Sequence, residues 1–290
     1  MDQHAPPSAE SVRSPDVAAF EILDAPSEGP SGLIFASPHS GRFYPEDMGS
    51  AVAIEELRLV EDAAMDELIA TGPSAGATLL LARYGRAYVD LNRSENDLDP
   101  VLIGDCNIQT PSPKTIAGYG VLHRLSARQE PLYAQRLTMA EADSRLERVY
   151  RPYHDALSDL MHKGRAHHGQ SLLVDWHSMP QRATGPHGPD IILGDRHGTS
   201  CDVVWTRLLR QLFEARGWRV GLNRPYAGGH ATQVWGRPEE GFHALQIEVN
   251  RRLYWDEANH QPSMGWKRCH STLKQVIAEL GTKYSANPNV

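Results

Sequence analysis

Cysteine is scarce. Cys106, Cys201 and Cys269 are the only three in 290 residues, odd in number and far apart, which excludes a disulfide framework and a CxxC metal knuckle. Long apolar runs are also absent: no window approaches the roughly 18 consecutive apolar residues of a membrane helix. The opening "MDQHAPPSAESVRSPD" lacks the basic block and apolar block of a secretory signal, so a soluble, cytoplasmic protein is expected. Positive charge is in deficit, with 29 Lys and Arg against 36 Asp and Glu and a formal net charge of -7. That balance gives no general attraction to nucleic acid or to an anionic membrane, and a small anionic ligand would need local arginines. No internal repeat, no GxGxxG or GxxxxGK nucleotide fingerprint and no HExxH is present.

What remains is an alternation of strands and helices. Residues 1–18 are Pro- and Ser-rich and are expected to be loose; residues 19–290 are expected to form one catalytic domain. "SGLIFASP", "QSLLVDWHS", "PDIILGD", "WRVGLNRPY" and "HALQIEVN" read as strands, as does "GATLLLARYGRAYVDLN" with a turn at Tyr84-Gly85-Arg86. Helical periodicity runs from Ser50 through "AVAIEELRLVEDAAMDELIAT", over about 131–163 with a kink near Pro152, and in "SCDVVWTRLLRQLFEARG" and "SMGWKRCHSTLKQVIAELGTKY". Residues 94–120 read as a loop excursion, and "HKGRAHHG" as a solvated loop. Strands separated by helices of this length imply crossover connections and a mainly parallel or mixed sheet.

Chemistry collects where the strands end. "LIFASPHSG" empties into His39, "AYVDLNRSEND" into Asp90, Asn92 and Arg93, "LLVDWHS" into Asp175 and His177, and "LQIEVNRR" carries Glu248, Asn250 and Arg251. Open α/β sheets bind ligands at the carboxyl ends of their strands, and four loaded exits are harder to explain as solvation than any one alone. His39 and His177 are donors of the kind zinc prefers, and a catalytic zinc usually takes a third protein ligand. Arg42, three residues after His39, cannot ligate. The third ligand is therefore sought in the following helix, where Asp62 and Asp66 are four residues apart on one face; periodicity does not choose between them. Asp175 and His177 are expected on opposite faces if the strand persists, or, if it breaks at Trp176, Asp175 would orient a ligand histidine. In "YAGGHATQ" the glycines allow a positive-φ turn or a close approach, His230 is a candidate oxyanion donor, and Thr232 a candidate donor to a carboxylate.

"SPHSGRFYP", "EDAAMDEL", "RYGRAYVDLNR", "LLVDWHSMP" and "RPYAGGHATQVWGRPEEGFHALQIEVNRRLYWDE" together resemble the N-formylglutamate amidohydrolase family over about residues 33–257. The resemblance implies a three-layer α/β/α sandwich around a mixed sheet, related to zinc carboxypeptidases and to the aspartoacylase and succinylglutamate desuccinylase group. It implies one zinc held by His39, Asp62 and His177, with Asp66 as second choice for the acid and Arg42 standing where carboxypeptidase relatives have a glutamate. It also implies Asn92 and Arg93 on a substrate carboxylate, Glu248 as general base and acid, and a place in histidine catabolism.

Those roles agree with the chemistry of amide hydrolysis, which needs an activated water, a stabilised oxyanion and a proton for the leaving amine. A planar guanidinium suits a carboxylate, so Arg93 is the first expectation, with Arg42 for the second carboxylate in competition with Arg83, Arg86, Arg182, Arg251 and Arg252. Rival readings are a zinc hydrolase of another N-acyl amino acid, a carboxypeptidase-like amidohydrolase, and a non-catalytic binding domain.

Overall fold

Strand residues alternate between two apolar faces, and each face is covered by its own set of helices. The computed structural model describes residues 17–26 and 29–286; the expectation of a loose N-terminal segment lies almost entirely outside them. Seven strands, β1 (Phe20–Leu23), β2 (Leu33–Ser37), β3 (Thr78–Ala82), β4 (Ser171–Met179), β5 (Ile191–Gly194), β6 (Val220–Leu222) and β7 (Phe242–Asn250), form one sheet in the order β1-β3-β2-β4-β7-β5-β6. The central strands β3, β2, β4 and β7 are mutually parallel, β5 pairs with β6 in parallel, and β1 on β3 and β5 on β7 run antiparallel. The sheet is mixed, as expected.

The helices are α1 (Ile54–Arg58), α2 (Met65–Leu68), α3 (Pro113–Ile116), α4 (Met139–Arg145), α5 (Arg151–His168), α6 (Val203–Glu214), α7 (His230–Trp235) and α8 (Trp266–Ala286). On one face Leu33, Phe35, Leu79, Val174, Trp176 and Ile247 pack with Met65 and Leu68 of α2, Trp205 and Leu209 of α6, and Leu273 and Ile277 of α8. On the other, Ile34, Ala36, Leu80, Leu173 and Ala244 pack under Tyr153, Leu157 and Met161 of α5 and under the 84–137 excursion. The result is a three-layer α/β/α arrangement. Each fully buried Leu, Ile or Phe contributes roughly 1.5–3 kcal/mol relative to exposure, so the helices on both faces stabilise the sheet.

The second face changes character along β4 and β7. Leu173 and Ala244 lie within the core, but the next side chains on that face, Asp175, His177, Gln246 and Glu248, are buried and polar. Register aligns Asp175 with Gln246 and His177 with Glu248. A polar end on an otherwise apolar face needs its own hydrogen bonds, and these build the site.

Four local expectations are corrected. The helix expected from Ser50 is broken: α1 ends at Arg58, α2 begins at Met65, and Ala64 between them has φ 54°. Tertiary bonds override the periodicity there, because the Asp62 amide donates to the His39 carbonyl at 2.9 Å and Arg251 donates to the Glu61 carbonyl at 2.5 Å. Residues 84–93 are a folded-back loop and not strand, so Asp90, Asn92 and Arg93 reach the site from coil. Residues 131–138 are not helical; α4 starts behind a Thr138–Glu141 capping box, and α5 extends to His168, making most of "HKGRAHHG" helical. A wide π-type turn at Leu146–Tyr150 joins α4 to α5 just before Pro152, whose ring lacks an amide hydrogen.

Candidate functional site

Three elements converge at the carboxyl ends of β2 and β4. His39 follows β2, His177 lies near the end of β4, and Asp62 is held in the break between α1 and α2 by its backbone bond to His39. One donor atom from each lies within 4.8 Å of the others. His177 Nδ1 is 3.1 Å from His39 Nδ1 and 2.9 Å from Asp62 Oδ2, and His39 Nδ1 is 3.4 Å from the same oxygen. All three residues are buried.

The outer ring nitrogens explain why the inner ones face each other. His39 Nε2 is 2.7 Å from Asp90 Oδ1, and His177 Nε2 is 2.9 Å from Asp175 Oδ2. A carboxylate is acceptor only, so His39 Nε2, with Asp90 as its sole partner, carries the proton and its Nδ1 presents a lone pair; His177 Nε2 faces Asp175 and, at 3.1 Å, the Asn92 amino group, and in the tautomer that donates to Asp175 its Nδ1 presents a lone pair as well. Two imidazole lone pairs and a carboxylate oxygen then meet with no donor among them. Such a cluster repels itself unless a cation sits among the three atoms, and the donor set fits a borderline divalent metal with carboxylate-supported histidines. Without a metal a proton must serve: although burial opposes it, the charges and hydrogen bonds of Asp175 and Asp62 raise the His177 pKa well above its ordinary value. Burial would likewise raise Asp62, but its hydrogen bonds and charge interactions with His177 and His39 hold it well below the usual carboxylate range. Ser178 Oγ at 3.2 Å and Arg251 Nη2 at 3.3 Å donate to its other oxygen.

Asp90 is the most heavily used acid. It accepts from His39, from the Asn92 amide at 2.9 Å, from Arg86 Nη2 at 2.7 Å and from His123 Nε2 at 3.1 Å. Despite complete burial these partners hold it well below the usual range. Asp175 has fewer partners: its Oδ2 also accepts from Asn92 Nδ2 at 3.2 Å, and its Oδ1 is buried with no hydrogen bond among the described residues. The expectation that Asp175 and His177 lie on opposite faces does not hold, because the strand persists to Met179 and residues two apart share a face.

Glu248 stands beside His177 in register, and Gln246 Nε2 donates to its Oε1 at 2.7 Å. Burial raises its pKa to about 7; the Asp62 charge adds to this and His177 opposes it. That value suits a group that must both take and return a proton near neutrality. His39, Asp62, His177 and Glu248 all line a cavity of about 480 Å³. Asn92, Arg93, Lys114, Tyr119, His123 and the loop Pro225–Gly229 form further parts of its wall.

The remaining expected site residues divide. Arg93 lines the cavity, with its Nε donating to the Tyr119 carbonyl at 3.1 Å. Asn92 lines it too, but its amino group is spent between Asp175 Oδ2 at 3.2 Å and His177 Nε2 at 3.1 Å, and its oxygen accepts from the Ala231 amide at 3.0 Å. Arg42 does not reach the cavity. It is forked onto Asp66 at 2.7 and 3.0 Å, which also takes Asp66 away from the histidines. His230 opens α7 outside the cavity wall, 3.2 Å from the Tyr150 hydroxyl, and Thr232 Oγ1 turns back to the Gly229 carbonyl at 2.9 Å. The glycines before them are needed: Gly228 has φ 130°, and a Cβ on Gly229 would come within 2.4 Å of the Asn92 side chain. The sequence reading missed His123, Lys114, Tyr119 and Gln246. Gln246 alone carried a signal, two residues before Glu248 on the same strand face.

A paired-histidine and aspartate donor set beside a buried glutamate, at the strand ends of a mixed α/β sheet, is the equipment of a hydrolase. The family model for N-formylglutamate amidohydrolase matches residues 31–255. The N-formylglutamate deformylase of Pseudomonas putida is 30% identical over 240 residues, covering 79% of this chain and 84% of that protein. That of Pseudomonas aeruginosa is 32% identical over 235 residues, covering 78% and 82%. A crystal structure of N-formylglutamate amidohydrolase from Ralstonia eutropha JMP134 superposes with a TM-score of 0.88 at 34% identity, covering 93% of this chain and all of that one. The chain belongs to the N-formylglutamate amidohydrolase family, and it is an enzyme of the hydrolase class. Among the described residues no helix is long and apolar enough to cross a membrane.

Proposed function

We propose that residues 19–290 act as one catalytic domain that hydrolyses the formamide bond of N-formyl-L-glutamate to formate and L-glutamate. The observation that carries this reading is the trio of facing acceptor atoms on His39, Asp62 and His177, with Glu248 beside them in a cavity that also holds cationic groups with no ion pair among the described residues. Zinc is the metal we assign to the trio, on the nitrogen and oxygen donor types. When bound, it supplies Lewis acidity that activates water and polarises the formyl oxygen.

The rest of the work falls to the chain. Asp90 and Asp175 hold the two imidazoles in the tautomer that leaves Nδ1 free. Glu248 takes the proton of the attacking water as the oxygen–carbon bond forms, then returns it to nitrogen as the carbon–nitrogen bond breaks, so that glutamate leaves as a neutral amine and not as an amide anion. Arg93 offers its terminal amino groups to the α-carboxylate, fixing the formyl group against the reacting atoms. Free Cys106, Cys201 and Cys269 suit a cytoplasmic setting.

The test is a comparison of kcat/KM on zinc-loaded enzyme for N-formyl-L-glutamate, N-formyl-L-aspartate, N-formyl-L-methionine, N-acetyl-L-glutamate and N-succinyl-L-glutamate. The formylglutamate should lead, with formylmethionine poor because its apolar side chain leaves cationic groups unpaired. A lead for the acetyl or succinyl compound would overturn the substrate assignment and keep the mechanism.

A further inference from the structure

The cavity wall carries five cationic side chains, and they are not equivalent. Arg86 is committed to Asp90 at 2.7 Å, and Arg251 to Ser178 Oγ at 3.0 Å and Asp62 at 3.3 Å. Among the described residues Arg93 has only its Nε engaged, on the Tyr119 carbonyl, with Asp90 a distant 3.9 Å away. Lys114 and Arg182 make no ion pair or side-chain hydrogen bond among the described residues.

Lys114 and Arg93 are tied together through one residue. The Tyr119 amide donates to the Lys114 carbonyl at 2.9 Å, while the Tyr119 carbonyl accepts from Arg93 Nε at 3.1 Å. The short helix that carries Lys114 is fixed at its start by Ser112, whose Oγ accepts from the Thr115 amide at 3.2 Å. Arg182 has no such tie. It lies exposed in the short turn Gln181–Ala183 and is shared with a neighbouring cavity of about 440 Å³.

Resting on the substrate reading above, we infer that Lys114 binds the side-chain carboxylate of the glutamyl group while Arg93 binds its α-carboxylate. Two carboxylates joined by a short carbon chain match two cationic groups hung from one backbone residue. The electrostatics agree: partial burial, then the charges of Arg93 and Arg86, lower the Lys114 pKa, a repulsion that an anion placed between them relieves. The pairing gives specificity a physical basis, since a substrate without the second carboxylate leaves an ammonium facing like charges.

The test sets Lys114→Met and Lys114→Arg beside wild type, with thermal melts to confirm that the exposed change leaves the fold intact. Binding of L-glutamate and L-glutamine is measured by calorimetry, and kcat and KM for N-formyl-L-glutamate and N-formyl-L-glutamine by formate release. Lys114→Met should weaken L-glutamate roughly 10–100-fold, the range of one charge-assisted contact, and raise KM for the formylglutamate by a similar factor with kcat nearly unchanged. Both glutamine compounds should lose much less than their glutamate counterparts, and Lys114→Arg should restore most of the glutamate loss. Equal weakening of glutamate and glutamine, or no weakening of either, in an enzyme that does hydrolyse N-formyl-L-glutamate overturns the Lys114 assignment alone. Wild-type enzyme that fails to hydrolyse N-formyl-L-glutamate overturns the substrate reading and this assignment with it.

Discussion

Asp90→Asn probes how the site is held together. In the native chain the Asp90 carboxylate collects four donors, from His39, the Asn92 amide, Arg86 and His123, and it is fully buried. An asparagine keeps the shape but loses the charge, and its amide nitrogen must point at groups that are themselves donors. Either the Arg86 guanidinium or His39 Nε2 is then left unsatisfied. Leaving a buried charge unpaired costs roughly 3–5 kcal/mol; Arg86 keeps about a fifth of its surface in the cavity, so about 3 kcal/mol is the appropriate end.

The second effect falls on the proposed metal centre. With an amide nitrogen opposite it, His39 Nε2 favours the deprotonated form, and the proton moves to Nδ1, the atom that should ligate. Loss of such a supporting carboxylate typically weakens metal binding about 10–100-fold. Urea unfolding of metal-free protein reads the first effect, and zinc competition against a chromophoric chelator reads the second. Adding Arg86→Met to Asp90→Asn should recover part of the stability, because the stranded charge is gone, and none of the zinc affinity. If Asp90→Asn binds zinc as tightly as wild type, the tautomer argument for His39 is wrong.

Glu248→Gln should retain zinc in metal analysis while losing roughly 10²–10⁴ in turnover, the usual range for a removed acid–base group, and wild-type turnover in that variant would refute the assignment. His39→Ala and His177→Ala should each purify without stoichiometric zinc; full zinc in both would place the metal elsewhere. Arg93→Lys should raise KM for N-formyl-L-glutamate by about tenfold or more despite the conserved charge, since an ammonium cannot reproduce the fork. Stability should also fall on acidification for a reason outside the metal centre. His154, donating to the Leu91 carbonyl at 3.0 Å, has its pKa lowered to about 4 by burial and by His230. The unfolded chain therefore takes up this proton first: the stability is intact above about pH 6.5 and is lost as pH falls toward 4, by about 3 kcal/mol. His154→Gln should flatten the denaturation midpoint over that window, and an unchanged slope would show that the group titrates normally.

The sheet was legible in the sequence wherever apolar runs were short and bounded, as in "LIFAS", "SLLVDWHSM" and "FHALQIEVN", which became β2, β4 and β7. The two histidines and Glu248 were legible for the same reason, since each sits on or just beyond such a run, and strand periodicity fixes the direction of His177 and Glu248. The failures share a cause. The stretch from Ser50 has helical periodicity, yet the bonds that break it come from His39 and from Arg251, nearly two hundred positions away in sequence. Asp90 lies in a segment rich in apolar and aromatic residues that reads as strand, yet it folds back so that its acid meets its near neighbour Arg86 together with His39 and His123 from two other parts of the chain.

Arg42 shows the same limit from the other side. A guanidinium three residues from a candidate ligand histidine is a reasonable partner for a substrate carboxylate, and sequence distance alone favours it. What removes it is Asp66, which accepts both of its terminal amino groups in a forked pair, with Glu67 at 3.2 Å beside it. The residue that sequence offered as an alternative metal ligand and the residue it offered as a substrate anchor neutralise each other at the surface, and 42% of the Arg42 side chain remains exposed. Lys114, by contrast, lies in a Pro-rich excursion with no pattern to single it out, and gains its place only because Tyr119 joins it to Arg93. Local pattern locates the side chains that a strand aims, whereas recognition of a second carboxylate depends on which cations the fold leaves unpaired; that is decided by contacts across the chain.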